Sequence, residues 1–540
     1  MDKEQLRQAI ASLDDDELRQ AARWRYAPVM GLGGRILCVA ADERAMNDAR
    51  RAGLHVAWRA RPGEFLRLLQ DQADRLFADE AANGLARRAP HMSAAWRFGR
   101  RQAWGFFIAA LLLAALGWLF PATVSTTLFI LFSALFLAMA ALRIISLVSA
   151  PGYGKPPPLA DGELPVYSIL APLYREERVL RQLVMALSRI DYPADRLDIK
   201  IIVEEDDKLT REALAEMALP GHFEVMVTPP VGPRTKPKAM NYALAFARGE
   251  LVTIYDAEDI PDPGQLRRAA DAFAAGGEDL ACLQARLNWY NANENWLTRL
   301  FTIEYASHFS VILPSLAAMG MPIPLGGTSN HFRADVLRAC GGWDAHNVTE
   351  DADLGFRLAR LGWRLGVIDS TTHEEACSTI RDWSAQRARW IKGWLQTWLV
   401  HMRRPLAFAR ETGWGGMFVM HAMMGAGVFA ALAHPFFLLW TVWRLWQPYA
   451  PPASVPEAAI AGIGAMVLVA GYGAAMLVGL AGLRRTGMWR LWPNVLAMPL
   501  YWLFISAAAW RALWDFAVRP HHWRKTRHGV CAMLRGGGGK

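Results

Sequence analysis

The chain has 540 residues, 53% of them hydrophobic and 20% charged, with a formal net charge of +9. That length exceeds a single compact core and implies two or three domains plus membrane segments. The cations gather beside apolar stretches, which excludes nucleic acid as the expected partner and leaves anionic lipid or phosphate-bearing ligands.

In chain order, residues 1–92 read as a small cytosolic α/β domain, for docking or regulation. Its opening, MDKEQLRQAIASLDDDELRQ, is charged and amphipathic and lacks the apolar run of a signal peptide. A strand-like run over 35–40 follows the glycine-rich 31–34. The five cysteines, Cys38, Cys282, Cys340, Cys377 and Cys531, are far apart with no Cys-x-x-Cys pair, as reduced cytosolic thiols are. Over 102–150 a hairpin of apolar helices is expected, 106–120 and 128–147, each near the ~20 residues that cross a bilayer. A polar loop over 121–127 should join them. Arg97, Arg100 and Arg101 before the hairpin, and Arg143 and Lys155 after it, place both ends in the cytosol.

Residues 160–405 alternate strand-like runs (166–171, 199–203, 251–255) with helical ones. This pattern predicts a parallel sheet with helices on both faces and a ligand crevice at the carboxyl ends of its strands. Two further crossings are expected within 415–485, at 421–445 and 458–483. The last apolar stretch, within 492–518, precedes a basic tail, 519–540. It is expected to lie in the interface with Trp502, Trp510 and Trp514 at headgroup depth, a fifth crossing being the alternative.

The informative residues fall at the predicted strand ends. Asp256, Glu258 and Asp259 put three carboxylates into four residues, and such groups repel unless a cation joins them. Mg²⁺ or Mn²⁺ would neutralise them and bridge to a nucleotide diphosphate; a solvated acidic turn is the alternative. Glu204, Glu205, Asp206 and Asp207 end another strand and, with Pro172 and Tyr174, would line the same crevice. Lys236 and Lys238 suit phosphate oxygens, or are plain surface charges. Thr349, Glu350 and Asp351 open a helix, where Thr349 could cap and the acids suit the dipole. A catalytic reading needs a carboxylate to take the acceptor's proton, and Asp351 is the choice. Gln386, Arg389 and Trp390 share an amphipathic helix on which Arg389 could hold a diphosphate and Trp390 could pack on a sugar. The alternative for an Arg-Trp pair is anchoring at the membrane interface.

Together Pro172-Leu173-Tyr174, Asp256-Ala257-Glu258 in place of D-x-D, Thr349-Glu350-Asp351 and Gln386 to Trp390 resemble the membrane-embedded family 2 glycosyltransferases of the cellulose synthase and hyaluronan synthase type. The resemblance implies an α/β GT-A (Rossmann-like) cytosolic domain inserted between transmembrane helices of a multi-pass protein of the bacterial inner membrane. It further implies that a UDP-sugar and Mg²⁺ or Mn²⁺ are used to polymerise a β-linked exopolysaccharide by inverting single displacement. Asp351, with Glu350 beside it, becomes the general base, and Asp256 with Glu258 or Asp259 the metal ligands. Pro172, Tyr174, Glu204, Asp207, Lys238, Asp256 and Arg389 fall to the donor, and Thr349, Gln386 and Trp390 to the acceptor. Lys525 and Thr526 stand where cellulose synthases carry a gating loop and would touch the diphosphate.

The rival readings are addition of one sugar to a lipid or short acceptor, and a non-catalytic membrane scaffold. The expected partners are the nucleotide-sugar, the growing saccharide and the bilayer. Because the chain stops at Lys540, where cellulose synthases continue with more helices, an outer-membrane export partner or a homo-oligomer is also expected. The N-terminal domain resembles that of type II secretion ATPases, which implies docking or a cyclic dinucleotide regulator. The Arg-Leu-Gly style repeat of the dinucleotide-binding relatives is missing.

Overall fold

The computed structural model describes residues 3–519 apart from 31–35, 42, 61–63, 97, 150–151, 153 and 447–454. Lys525, Thr526 and the gating role expected of them lie outside the described residues.

The N-terminal unit holds more strand than the single run expected. Strands β1 (Tyr26–Met30), β2 (Ile36–Ala40) and β3 (Val56–Arg59) form one sheet, with β1 antiparallel to β2 and β2 parallel to β3. Its Asp15–Trp24 helix starts from a capping box: the Asp14 carboxylate accepts from the Asp16 and Glu17 N–H groups, and Glu17 reaches back to the Asp14 N–H. The long Glu64–Arg88 helix then packs along the Lys236–Phe246 helix of the next domain. Phe77 meets Phe246 edge to face with ring centroids 4.9 Å apart. Asn241 donates to the Ala81 carbonyl at 3.0 Å. Buried apolar side chains run without a break from Leu69 and Phe77 through Phe246 to Val252, so this unit shares a core with its neighbour.

The central sheet has eight strands: β4 (Tyr167–Leu173), β5 (Leu197–Glu204), β6 (Phe223–Thr228), β7 (Leu251–Ile254), β8 (Ile260–Pro261), β9 (Leu280–Trp289), β10 (Asn330–Arg333) and β11 (Arg364–Glu374). Their order is β6-β5-β4-β7-β10-β9-β11-β8. Strands β6, β5, β4 and β7 are mutually parallel, as near-continuous apolar runs predict. The remainder departs from the all-parallel expectation. Short β10 runs antiparallel to both β7 and β9, and β8 runs antiparallel to β11. Strand β10 was illegible because its buried residues include the polar Asn330 and His331, whose side chains bond outside the strand: His331 Nδ1 lies 2.7 Å from the Tyr167 hydroxyl, and the Asn330 amide donates to the Gly326 carbonyl at 2.6 Å.

Among the described residues five helical stretches are long and apolar enough to cross a membrane: Arg101–Leu119, Pro121–Ser149, Pro405–Trp440, Gly462–Arg485 and Trp489–Val518. The loop expected over 121–127 is instead the start of the Pro121–Ser149 helix. Pro121 is at its first position, where the missing N–H has no partner to lose and the fixed φ suits the helix. The third stretch begins well before the expected 421 and breaks at Gly413, φ 71°. The last stretch contains the Met498–Val518 helix, which packs along the Ile380–His401 and Ala426–Trp446 helices. The Trp383 indole N–H donates to the Tyr501 hydroxyl at 3.1 Å across that contact.

Candidate active site

The turn that joins β7 to β8 carries the three clustered acids. It is fixed at both ends, by β7 inside the sheet and by the pairing of β8 with β11. Asp259 closes the turn on itself. Its carboxylate accepts from the Asp256 N–H at 2.7 Å and from the Thr328 hydroxyl, and it is fully buried. Asp256 and Glu258 face a cavity of about 710 Å³, while Asp259 does not line it. Of the three expected metal ligands, Asp259 is therefore placed as a brace.

The expected donor cations also divide. Lys236 Nζ lies 2.5 Å from Asp256 Oδ1 and donates to the Gly327 carbonyl at 2.6 Å. Lys238 is fully buried on the other side of the same helix, donating to Glu204 and to the Pro229 carbonyl, both at 3.0 Å. Residues two apart on an α-helix point about 200° apart, so one of the pair had to turn away. The donor-facing position assigned to Lys238 is occupied by Lys236. Asp207 is likewise withdrawn: it accepts from the Arg175 N–H at 2.5 Å and, as N-cap of the Lys208–Ala215 helix, from Thr210 N–H at 3.3 Å. Pro172, Tyr174 and Glu204 do line the cavity.

Opposite this wall the Glu350–Arg360 helix begins. Thr349 is its N-cap by position but makes no side-chain cap bond. Its side chain instead presses on Gly393 of the Ile380–His401 helix, where a Cβ would stand 2.3 Å from Thr349 Oγ1. Only glycine allows that close approach. Behind the same helix, Asp353 lies 3.2 Å from both the Arg357 guanidinium and His401 Nε2, all three fully buried, which fixes the helix start in place.

Glu350 and Asp351 reach the cavity. Burial and the neighbouring Asp351 push Glu350 up to about 8. Burial raises Asp351 as well, against the pull of Lys236. Glu258 is pushed well above the carboxylate range by burial and then by Asp256 and Glu176. Glu374, at the end of β11, is raised by burial and by Asp259, Glu258 and Asp256; the sequence had offered no sign that it reaches this wall.

Gln386, Arg389 and Trp390 complete the lining, and the Cys377 thiol donates to Gln386 Oε1 at 3.6 Å. Burial depresses the Arg389 pKa, with Glu350 and Asp256 opposing. Arg387, passed over in the sequence, holds this helix in place. It grips Glu304 with two hydrogen bonds of 2.8 and 2.6 Å, and the Tyr501 hydroxyl donates to the same carboxylate at 2.8 Å. Its guanidinium also lies over the Trp390 ring, 4.9 Å from the centroid, which fixes the indole.

Hard carboxylate oxygens carrying excess negative charge suit Mg²⁺ or Mn²⁺. Among the described residues no three His, Cys, Asp or Glu side chains converge as a ready-made metal cage. Asp256 and Glu258, which face the cavity, carry the oxygen donors that would hold such an ion.

A mixed sheet whose parallel half ends in a carboxylate-lined crevice, beside an antiparallel strand pair, is a GT-A type glycosyltransferase fold. Residues 165–393 match the family model for glycosyltransferase like family 2, and that part of the chain is a family 2 glycosyltransferase domain. Over 244 residues the chain is 29% identical to a probable glycosyltransferase YdaM of Bacillus subtilis, covering 43% of this chain and 56% of the relative. It is 28% identical to glucomannan 4-beta-mannosyltransferase 1 of Oryza sativa subsp. japonica (44% and 47% covered) and to the beta-monoglucosyldiacylglycerol synthase of Trichormus variabilis (44% and 51%). The chain spans about half the length of the curated relatives it matches. Among solved structures, a mannosyltransferase from Pyrobaculum calidifontis in complex with GDP-Man and Mn²⁺ covers 71% of this chain and 99% of its own, at 18% identity and TM-score 0.46.

Proposed function

We propose that this protein is an inverting membrane glycosyltransferase that moves a sugar from a nucleotide diphosphate donor, a UDP-sugar, to an acceptor hydroxyl. The observation that carries this reading is the convergence of Asp351, the Lys236–Asp256 pair, Arg389 and Trp390 on one cavity.

Asp351 accepts the acceptor hydroxyl's proton as the oxygen bonds to the anomeric carbon. Its raised pKa makes it a stronger base than an exposed aspartate. Attack from the face opposite the diphosphate turns an α-linked donor into a β-linked product. Lys236 and Arg389 place positive charge where the leaving diphosphate gathers negative charge. Held by Asp256 and Glu258, Mg²⁺ or Mn²⁺ would supply further charge there. Trp390, immobilised by Arg387, offers an indole face to the acceptor. Repetition of the step builds a β-linked saccharide, the polymer expected from the resemblance, at the inner membrane with the catalytic domain in the cytosol. The N-terminal unit, packed on the helix that presents Lys236, serves to dock or regulate it.

Nucleotide release by the purified protein in nanodiscs, across UDP- and GDP-sugars with Mg²⁺ or Mn²⁺, tests the reading. Metal-dependent turnover of one donor supports it. Absence of both turnover and nucleotide binding contradicts it and favours a scaffold built on a transferase fold.

A further inference from the structure

The cavity does not stop at the catalytic wall. The same space continues between the apolar helices, where Phe136, Leu142, Ala431, Gly471, Val478 and Ile505 line it. Polar groups that line this part include His434, Tyr472, Ser506 and Trp502 and, beside Val478, Ser307, whose hydroxyl already donates to the Ile303 carbonyl. Three of them already satisfy one another: His434 Nε2 is 2.7 Å from the Tyr472 hydroxyl, and Ser506 Oγ is 3.4 Å from His434 Nδ1 and donates to the Trp502 carbonyl at 2.9 Å. A saccharide threaded here would bury several hydroxyls per ring against methyl and methylene groups. Each hydroxyl left without a partner costs about 1–3 kcal/mol. A hydrocarbon chain incurs no such cost and gains from the burial.

A second observation lies between the apolar and catalytic parts. Arg143 of the Pro121–Ser149 helix lines the cavity and, among the described residues, makes no hydrogen bond or ion pair. The acid whose field reaches it, Glu304, is already held by Arg387 and Tyr501. A guanidinium facing a cavity at the border of a hydrocarbon layer is placed to bind the ester or phosphate oxygens of a lipid head.

We infer that the acceptor is a lipid with a hydroxyl in its head group, whose apolar chains occupy the membrane part of the cavity and whose head oxygens meet Arg143. This rests on the transferase reading above and names its acceptor. The head hydroxyl oxygen forms the new bond to the anomeric carbon while the bond from that carbon to the diphosphate oxygen breaks. The proton passes to Asp351, and the nucleoside diphosphate leaves with the electron pair. Whether one sugar or many follow, the saccharide starts on a lipid.

The test uses the full chain in phosphatidylcholine nanodiscs doped with diacylglycerol or with phosphatidylglycerol, against soluble oligosaccharides, with a radiolabelled donor. The expected result is label in the organic extract and turnover at least ten-fold faster with one hydroxyl-bearing lipid than in phosphatidylcholine alone. Preference for phosphatidylglycerol assigns Arg143 to a phosphate, and preference for diacylglycerol assigns it to ester oxygens.

A Cβ added at Gly471, which lines the cavity, meets nothing within 4 Å, so Gly471→Leu is the variant chosen to narrow it. This variant and Arg143→Gln should each raise the KM for the lipid about ten-fold, and the two together guard against one failing to fold. Label confined to water-soluble product, with turnover indifferent to added lipid, overturns the lipid acceptor and leaves the transferase standing. No turnover and no nucleotide binding under any condition overturns both.

Discussion

The two ends of the central sheet hold buried charge in opposite ways. Near the start of β5, Asp198 is surrounded by partners: Lys200 at 2.9 Å, Arg25 of the N-terminal unit at 3.6 Å, Arg248 at 3.7 Å and the Ser168 hydroxyl at 2.7 Å. Burial alone would raise its pKa, but these partners outweigh burial and hold the carboxyl well below the usual range. At the carboxyl ends of the strands, Asp256, Glu258, Glu350, Asp351 and Glu374 share Lys236 and Arg389, and several are pushed upward instead. The first cluster is complete without a ligand and joins two parts of the chain. The second carries surplus negative charge that a divalent cation would relieve, as perturbed carboxylates in a cleft do at functional sites.

The comparison is most strongly tested at the deficient end. Asp256→Asn with Glu258→Gln should lower turnover by about 10³-fold or more and remove the protective effect of Mg²⁺ or Mn²⁺ on the thermal midpoint with UDP present. Unchanged metal protection in that variant would break the contrast.

At the matched end, Asp198→Ala should destabilise the protein by about 3–5 kcal/mol, because it removes the buried carboxylate that Lys200, Arg25 and Arg248 share. Denaturant unfolding in detergent reads this out, with nucleotide affinity of the folded fraction expected to be retained. Because the folded pKa of Asp198 lies below the ~3.9 of an unfolded aspartate, its stabilisation is fully present above that pH and is lost as pH falls through the folded value. A wild type losing stability less steeply in acid than the variant would contradict the sign.

Gly393→Ala drives a methyl into Thr349 and should cost about 1–3 kcal/mol. It should also lower kcat by displacing the start of the Glu350–Arg360 helix, as steady-state kinetics would show. The smallest effect belongs to Asp259→Asn. Its amide oxygen still accepts from the Asp256 N–H, so activity should stay within about three-fold; loss of metal dependence there would return Asp259 to the ligand set.

These contrasts also mark what the sequence could convey. Strand-end acids, the Thr349-Glu350-Asp351 start and the Gln386–Trp390 helix were legible because strand patterning and motif order locate them without knowledge of packing. The direction of each side chain was not. Lys236 and Lys238 differ only in helical phase, as do Arg387 and Arg389, and the phase is set by what packs behind the helix. For Lys238 that is buried Glu204; for Arg387 it is Glu304, 83 residues away. Asp259 and Asp207 look like ligands in sequence yet close turns through backbone N–H groups. Strand β10 was missed because a polar residue such as His331 finds its partner, Tyr167, only in the folded sheet.

The central claim, that Asp351 is the base of a transferase, is tested most directly by Asp351→Asn. The account predicts loss of transfer by about 10³-fold with nucleotide affinity within a few-fold of wild type. Full activity, or loss of nucleotide binding in a folded variant, would contradict it.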